Sequence, residues 1–336
     1  MKKLLLIILV ALVLGAVTVA CAAIYLGSAA EAIMDASWDD ITGKDVPVPW
    51  PLAEAEVQAL RDELGATWPE DDPEDPISSV DLDAIALKRA IERGEHLVQA
   101  RLGCTECHDT DFGGKLYADV GPVFVLRAPN ITTGAGGLPD TFGVKDWDRI
   151  VRHGVNRAGR TAIMPAVDYQ ELSDRELSDV IAYVRSQPPV DRTVEPSERG
   201  PIGTMLIARG LIVPSVYEVD HDRLHRAEPP KEEVSVEFGR HLSRVCVGCH
   251  RADLRGGPIA GGDPKWAPAA NLTPHEDGLA GWSTADFVKA MREGVRPDGT
   301  ALDPSMPWPM LAKMTDTELE ALATYLQSLD PLPTGE

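Results

Sequence analysis

Residues Leu4 to Leu26 form an unbroken apolar run, with Lys2 and Lys3 in front of it. Its 23 residues are enough to cross a bilayer core as a helix, and exceed the usual apolar stretch of a cleaved signal. The two lysines predict a cytoplasmic N-terminus and an exported remainder. Cleavage around Ala20-Cys21-Ala22 and lipidation at Cys21, behind the box Thr18-Val19-Ala20, are the alternatives, and either one also exports the rest of the chain.

Beyond this run the apolar spacing becomes amphipathic, and it repeats. A first stretch carries Cys104-Thr-Glu-Cys107-His108 and a second Cys246-Val-Gly-Cys249-His250. Behind them come Gly113-Gly114 and Gly256-Gly257, then Ala128-Pro129-Asn130-Ile131-Thr132 and Ala269-Ala270-Asn271-Leu272-Thr273. Trp147 and Trp282 each precede an amphipathic run that ends in Arg152-His153-Gly154 or Arg292-Glu293-Gly294. Met164-Pro165 and Met306-Pro307 follow, and 56 positions separate motif His from Met in both copies. Each copy closes on a hydroxyl with Glu three residues later, Ser173 with Glu176 and Thr315 with Glu318. These capping boxes predict helices over 174–186 and 316–328.

The pattern divides the chain into an anchor or signal (1–27), an acidic pre-domain segment and spacer (28–85), a first module (86–190), a linker (191–233) and a second module (234–332). Within the linker, the apolar patch Ile202 to Val213 is too short to span a membrane and is expected to pack along the modules as a partial helix. Residues 66–76 are expected to be a flexible spacer.

Charge sharpens this division. The 336 residues carry a formal net charge of −21, which excludes a nucleic-acid partner, whose phosphates need a basic footprint. Residues 31–83 hold sixteen Asp or Glu against Lys44 and Arg61 alone. The favoured expectation for them is a solvated, self-repelling spacer, and the alternative is a docking arm for a basic partner. Aromatic residues are only 5% of the chain, so a bulky prosthetic group would supply apolar volume that side chains do not.

The five-residue motif names that group. Two thiols spaced by two residues can add to the two vinyl groups along one edge of a porphyrin, and the adjacent His ligates the iron from beneath. A Met thioether on the opposite face completes a His/Met pair that raises the reduction potential. The expected cofactors are two haem c groups with their iron. Cys104, Cys107, Cys246 and Cys249 would hold them covalently, His108 and His250 would be proximal ligands, and Met164 and Met306 sixth ligands. Four thiolates on zinc would not require a His after each pair or a Met at fixed distance. A redox Cys pair expects a βαβ context, which the pattern lacks. Met310 is the rival to Met306, but its counterpart in the first copy is Asp168. His153 could compete for the first iron, but its counterpart is Glu293, so it is expected on the surface. Each motif His should also find an outer acceptor for its second ring nitrogen. The repeat does not locate it, because Pro129 aligns with Ala270.

Each copy resembles the class I cytochrome c domain. Arg93-Gly94-Glu95-His96-Leu97 and Phe238-Gly239-Arg240-His241-Leu242 match its entering helix. The fold class this implies is mainly α, two tandem class I cytochrome c domains after an N-terminal transmembrane helix. The whole is similar to membrane-anchored dihaem c-type cytochromes and to the cytochrome c subunits of periplasmic alcohol dehydrogenases. The resemblance implies that Trp147 and Trp282 donate to haem propionates, against simple core packing. Arg152 and Arg292 would neutralise propionates, against a place on an exposed helix face. Asn130, Thr132, Asn271 and Thr273 would border the haem edge or stabilise turns.

Function follows from ligation. Two six-coordinate irons leave no open position for substrate, so the expectation is an electron carrier, not an enzyme, on the periplasmic or extracytoplasmic face of the cytoplasmic membrane. A dehydrogenase or quinol-oxidising complex would donate, and an oxidase or soluble cytochrome would accept. The alternatives are the electron-accepting subunit of a periplasmic dehydrogenase complex and, behind it, a dihaem peroxidase.

Overall fold

The computed structural model describes residues 2–67, 75–259, 262 and 265–335, with side chains from residue 12 onward. Residues 68–74, the centre of the expected flexible spacer, lie outside the described residues. The helices of seven or more residues are α1 (Lys2–Met34), α2 (Glu54–Gly65), α3 (Leu82–His96), α4 (Val144–His153), α5 (Asp174–Ser186), α6 (Pro201–Ala208), α7 (Val236–Leu242), α8 (Thr284–Glu293) and α9 (Asp316–Gln327). A small antiparallel sheet has the order β1 (Lys115–Asp119), β2 (Phe124–Ala128), β3 (Glu198–Arg199).

The two modules are built the same way. An entering helix crosses the module's last helix, α3 on α5 in one and α7 on α9 in the other. The crossing is close because Gly94 and Gly239 face the backbone carbonyls of Asp179 and Ala321, where a Cβ would collide. Both capping boxes form: Ser173 Oγ accepts from the Glu176 amide at 3.2 Å, and Thr315 Oγ1 from the Glu318 amide at 3.2 Å. Each module has its own apolar cluster. Phe112, Val151, Leu177 and Ile181 lie at the centre of one, and Phe238, Leu254, Leu319 and Leu326 at the centre of the other.

Residues 44–50 of the acidic pre-domain segment do not behave as the expected solvated spacer, although α2 in the same segment buries no residue. Val46 is buried in the first module's cluster, and Val48 and Trp50 pack on it. The Lys44 amide donates to Asp148 at 2.7 Å, its Nζ reaches Asp174 at 2.5 Å, and Ser178 Oγ donates to the Pro47 carbonyl. The acids set the segment's overall charge, but a few apolar residues and one lysine decide where it lies. The linker patch does form a partial helix, α6, which packs against α1 and, through Gly203, against Val123 and Phe124 in the β1–β2 hairpin.

Candidate haem sites

The geometry of both motifs starts from the backbone behind the histidine. Asp109 and Arg251 follow His108 and His250 with φ of 69° and 67°, a region that costs a residue with a Cβ about 1–3 kcal/mol. Phe112 and Leu254 repeat the exception at φ 58°. This turn is closed by the Gly114 amide on the His108 carbonyl and the Gly256 amide on the His250 carbonyl. The chain that returns past the motif then meets the imidazole. His108 Nδ1 lies 2.9 Å from the Pro129 carbonyl, and His250 Nδ1 lies 2.7 Å from the Ala270 carbonyl. An Nδ1–H donor fixes the tautomer and leaves Nε2 as the free lone pair, the arrangement a metal-binding histidine needs. Burial lowers the pKa of both rings, against the opposing pull of these carbonyls, and so favours the neutral ring that can ligate. The acceptors were not legible in the repeat because the interaction uses backbone oxygen, which Pro129 and Ala270 supply equally well.

All four motif cysteines are free. Burial pushes Cys104 and Cys246 up to about 12 and Cys107 up to about 11, and also raises Cys249. Among the described residues no cluster of three or more His, Cys, Asp or Glu has the arrangement of a metal site. Each apolar cluster instead gathers one motif cysteine and one predicted methionine: Cys104 with Met164, and Cys246 with Met306. A motif cysteine and a half-buried thioether on one apolar cluster, with an imidazole held through Nδ1 in the same module, fit covalently attached haem. Met310 is a buried member of the same cluster as Cys246 and Met306, and its Sδ would lie 2.9 Å from a Cβ placed on Gly103 of the other module.

Several expected contacts are corrected. Trp147 and Trp282 are not equivalent. Trp147 lies within α4, seven residues before Gly154, whereas Trp282 precedes α8 by two residues and Gly294 by twelve. Counted back from those glycines, Trp147 matches Phe287, and Phe142 matches Trp282. The first module holds its aromatic pair edge to face at 5.7 Å, and the second has the same two aromatic types in reverse order. A propionate role shared by the two tryptophans therefore does not follow from position.

Arg152 is fully buried and bonded to Asp148, to Asp174 at 3.0 Å and to the Leu172 carbonyl. Arg292 donates to Met314 O at 2.6 Å, to Ala312 O and to Asp316. Both guanidiniums bond to the start of the following helix. Asn130 and Asn271 each accept from the hydroxyl and amide of the Thr two residues on, and donate to the Val190 and Leu332 carbonyls beyond the last helix. They clamp the loop to the chain that leaves the module. His153, expected on the surface, is buried. Its Nδ1 lies 3.1 Å from His221 Nδ1, and the rings stack at 5.3 Å. The linker covers it, which its own helix pattern could not reveal.

The two motifs share a neighbourhood. Tyr117 bonds to Cys107 and lies close enough to Cys249 for their charges to couple. Asp168, the positional counterpart of Met310, abuts Gly248 as Met310 abuts Gly103. Burial raises Asp168 to about 7, against the Gly248 amide and Arg244. The entering helices reach across reciprocally: His96 Nε2 lies 2.8 Å from Glu318, and His241 Nε2 2.8 Å from Glu176. Arg101, buried between them, donates to Glu176 at 3.0 Å and lies 3.7 Å from Glu318. The sequence marked these glutamates as helix caps and gave no sign of their second role.

Comparison with known proteins agrees with the geometry. Residues 236–330 match the cytochrome c family, and residues 89–184 match the family of the cytochrome c oxidase, cbb3-type, subunit III. A dihaem cytochrome c-type protein of Cereibacter sphaeroides is 26% identical over 269 residues, 70% of this chain and 84% of that protein. The cytochrome c subunit of a quinone alcohol dehydrogenase from Gluconobacter oxydans is 34% identical over 110 residues, covering 30% of this chain and 23% of that protein. The cytochrome c subunit of gluconate 2-dehydrogenase from Pantoea cypripedii is 37% identical over 108 residues, 30% of this chain and 24% of that protein. The chain thus spans under a quarter of the length of these dehydrogenase subunits.

Proposed function

We propose, from a chain that carries two cytochrome c domains and with them two haem c groups, that it is an electron carrier tethered to the outer face of the cytoplasmic membrane. The observation that carries this reading is the matched seating of His108 and His250, each with Nδ1 on a backbone carbonyl, in modules whose apolar clusters each hold a motif cysteine with Met164 or Met306. Those four residues would be the axial ligands, and Cys104, Cys107, Cys246 and Cys249 the covalent attachment points. When bound, the haem iron takes up and releases one electron at a time.

The protein's part is to hold and orient. The carbonyls of Pro129 and Ala270 fix each imidazole, and the apolar clusters keep water from the sulfur side, which favours the uncharged thioether as ligand. The shared neighbourhood of the two motifs would let electrons pass between modules without a second protein. Helix α1 is long and apolar enough to cross a membrane over residues 12–34, and would act as the tether.

The donor in this reading is a periplasmic dehydrogenase, suggested by the cytochrome subunits the chain is similar to, and the acceptor is an oxidase or soluble cytochrome. A pyridine haemochrome assay on the chain from a host that matures haem c tests the proposal. Two haems per chain are expected. A colourless protein, or one that takes up zinc at these thiols, would overturn it.

A further inference from the structure

We propose that the segment from Pro201 to Tyr217 is a second membrane contact, lying in the headgroup–acyl boundary beside the tether and binding phospholipid. The inference rests on the reading of α1 as a membrane span.

Depth is the first argument. The first charge after Lys3 is Glu31, while α1 continues to Met34. At 1.5 Å per residue, the last four residues rise about 6 Å from that charge, into the headgroup layer. Residues 12–25 of α1 are fully exposed, and cover begins at Leu26. Helix α6 packs against α1, and Tyr217 Oη donates to the Ile33 carbonyl at 2.8 Å. The segment therefore lies at the level where the span would leave the bilayer.

Composition is the second. The chain has 53 acidic residues, yet residues 201–217 contain none, and their one charge is Arg209. Glu198 and Glu218 stand outside the two ends. An otherwise acidic protein is repelled by anionic lipid, whereas this window is not.

Exposure is the third. Ile202, Leu211 and Val213 are 41%, 61% and 45% exposed, although Gly203 and Ile207 on the same segment are buried. The segment commits part of α6 to protein and leaves Ile202 on the helix and Leu211 and Val213 after it exposed. Trp38 and Tyr217 meet edge to face at 5.1 Å at its far end, an aromatic pair of the kind favoured where a protein crosses from lipid to water. The segment is too short to span, so an interfacial position is the one a membrane allows it. Amides of Gly200 and Ile202 bond to the Val123 and Pro122 carbonyls of the β1–β2 turn. Seating the segment in the surface would therefore fix the first module's orientation.

The test reconstitutes the full haem-loaded chain in phosphatidylcholine liposomes that carry a photoreactive diazirine acyl chain, and maps adducts by mass spectrometry. Adducts are expected on peptides covering both α1 and residues 201–217. The double variant Leu211→Asp, Val213→Asp changes two exposed residues. It should keep the haem spectrum and the α1 adducts but lose those on 201–217. Adducts on α1 with none on 201–217 would overturn the proposal and leave the tether standing, and this is also the result if a protein partner covers the segment. Adducts on 201–217 that survive the double variant would overturn it too. Absence of adducts from α1 would remove the tether and this inference together.

Discussion

The two modules place an arginine at the same point, one residue before the end of α4 and of α8, and treat it differently. Arg152 is 0% exposed and shared between Asp148 and Asp174, whereas Arg292 is 31% exposed and its partner Asp316 is 80% exposed. The helices alone do not cause this. Residues 44–50 and the linker around His221 wrap the first module, and Val288 stands in the second where Asp148 stands in the first. A duplicated domain thus keeps its haem-site backbone to within a few degrees while segments outside the repeat decide how deeply its charges are buried.

The largest expected effect tests that difference directly. Arg152→Ala strands Asp148 in a dry site and should cost about 3–5 kcal/mol in urea unfolding of the holoprotein. The matched change Arg292→Ala, at a solvent-screened pair, should cost about 0–1 kcal/mol. Equal losses would mean that the wrapping segments do not bury the first site in solution.

Acid sharpens the same contrast. Burial pushes Asp148 up, but His153, Arg152 and the Lys44 amide outweigh it and hold its pKa at about 2, below the usual 3.8. A carboxylate depressed in the folded state adds stability above its unfolded pKa and loses it as pH falls through the folded value. The contribution is thus full above pH 3.8 and gone below about 2, roughly 2.5 kcal/mol in all. Asp148→Asn should flatten that part of the pH–stability curve, read as unfolding midpoints across the window, and an unchanged slope would refute the assignment.

Smaller effects are expected between the modules. The His241–Glu176 pair is buried on both sides, whereas His96 is partly exposed toward Glu318. Double-mutant cycles should give a coupling of about 1.5–3 kcal/mol for the first pair and below about 1 kcal/mol for the second. Equal couplings would show that the reciprocal contacts are also energetically symmetric.

Much of this was legible in the sequence. The repeat, the capping boxes and the last helix of each module follow from local spacing, and the helices Asp174–Ser186 and Asp316–Gln327 lie within a residue of the expected ranges. Local patterns failed wherever a distant segment supplies the partner. Burial of His153 needs the linker, the fate of Val46 needs the first module's core, and the double role of Glu176 needs the other module's helix. The tryptophan match differs for another reason: counted from the helix end, the two modules carry Phe and Trp in opposite order, so residue identity misled where helix register did not. The imidazole acceptors escaped because backbone carbonyls leave no signature in side-chain identity.

The central claim is that each module pairs its motif histidine with its own methionine, Met164 or Met306. The measurement that meets it most directly is the near-infrared methionine–iron band of the oxidised chain, recorded for Met164→Ala, Met306→Ala and the double variant at unchanged haem content. Each single change should remove half the band and the double change all of it, while Met310→Leu leaves it whole. A band that survives in the double variant, or that disappears with Met310, would contradict the account.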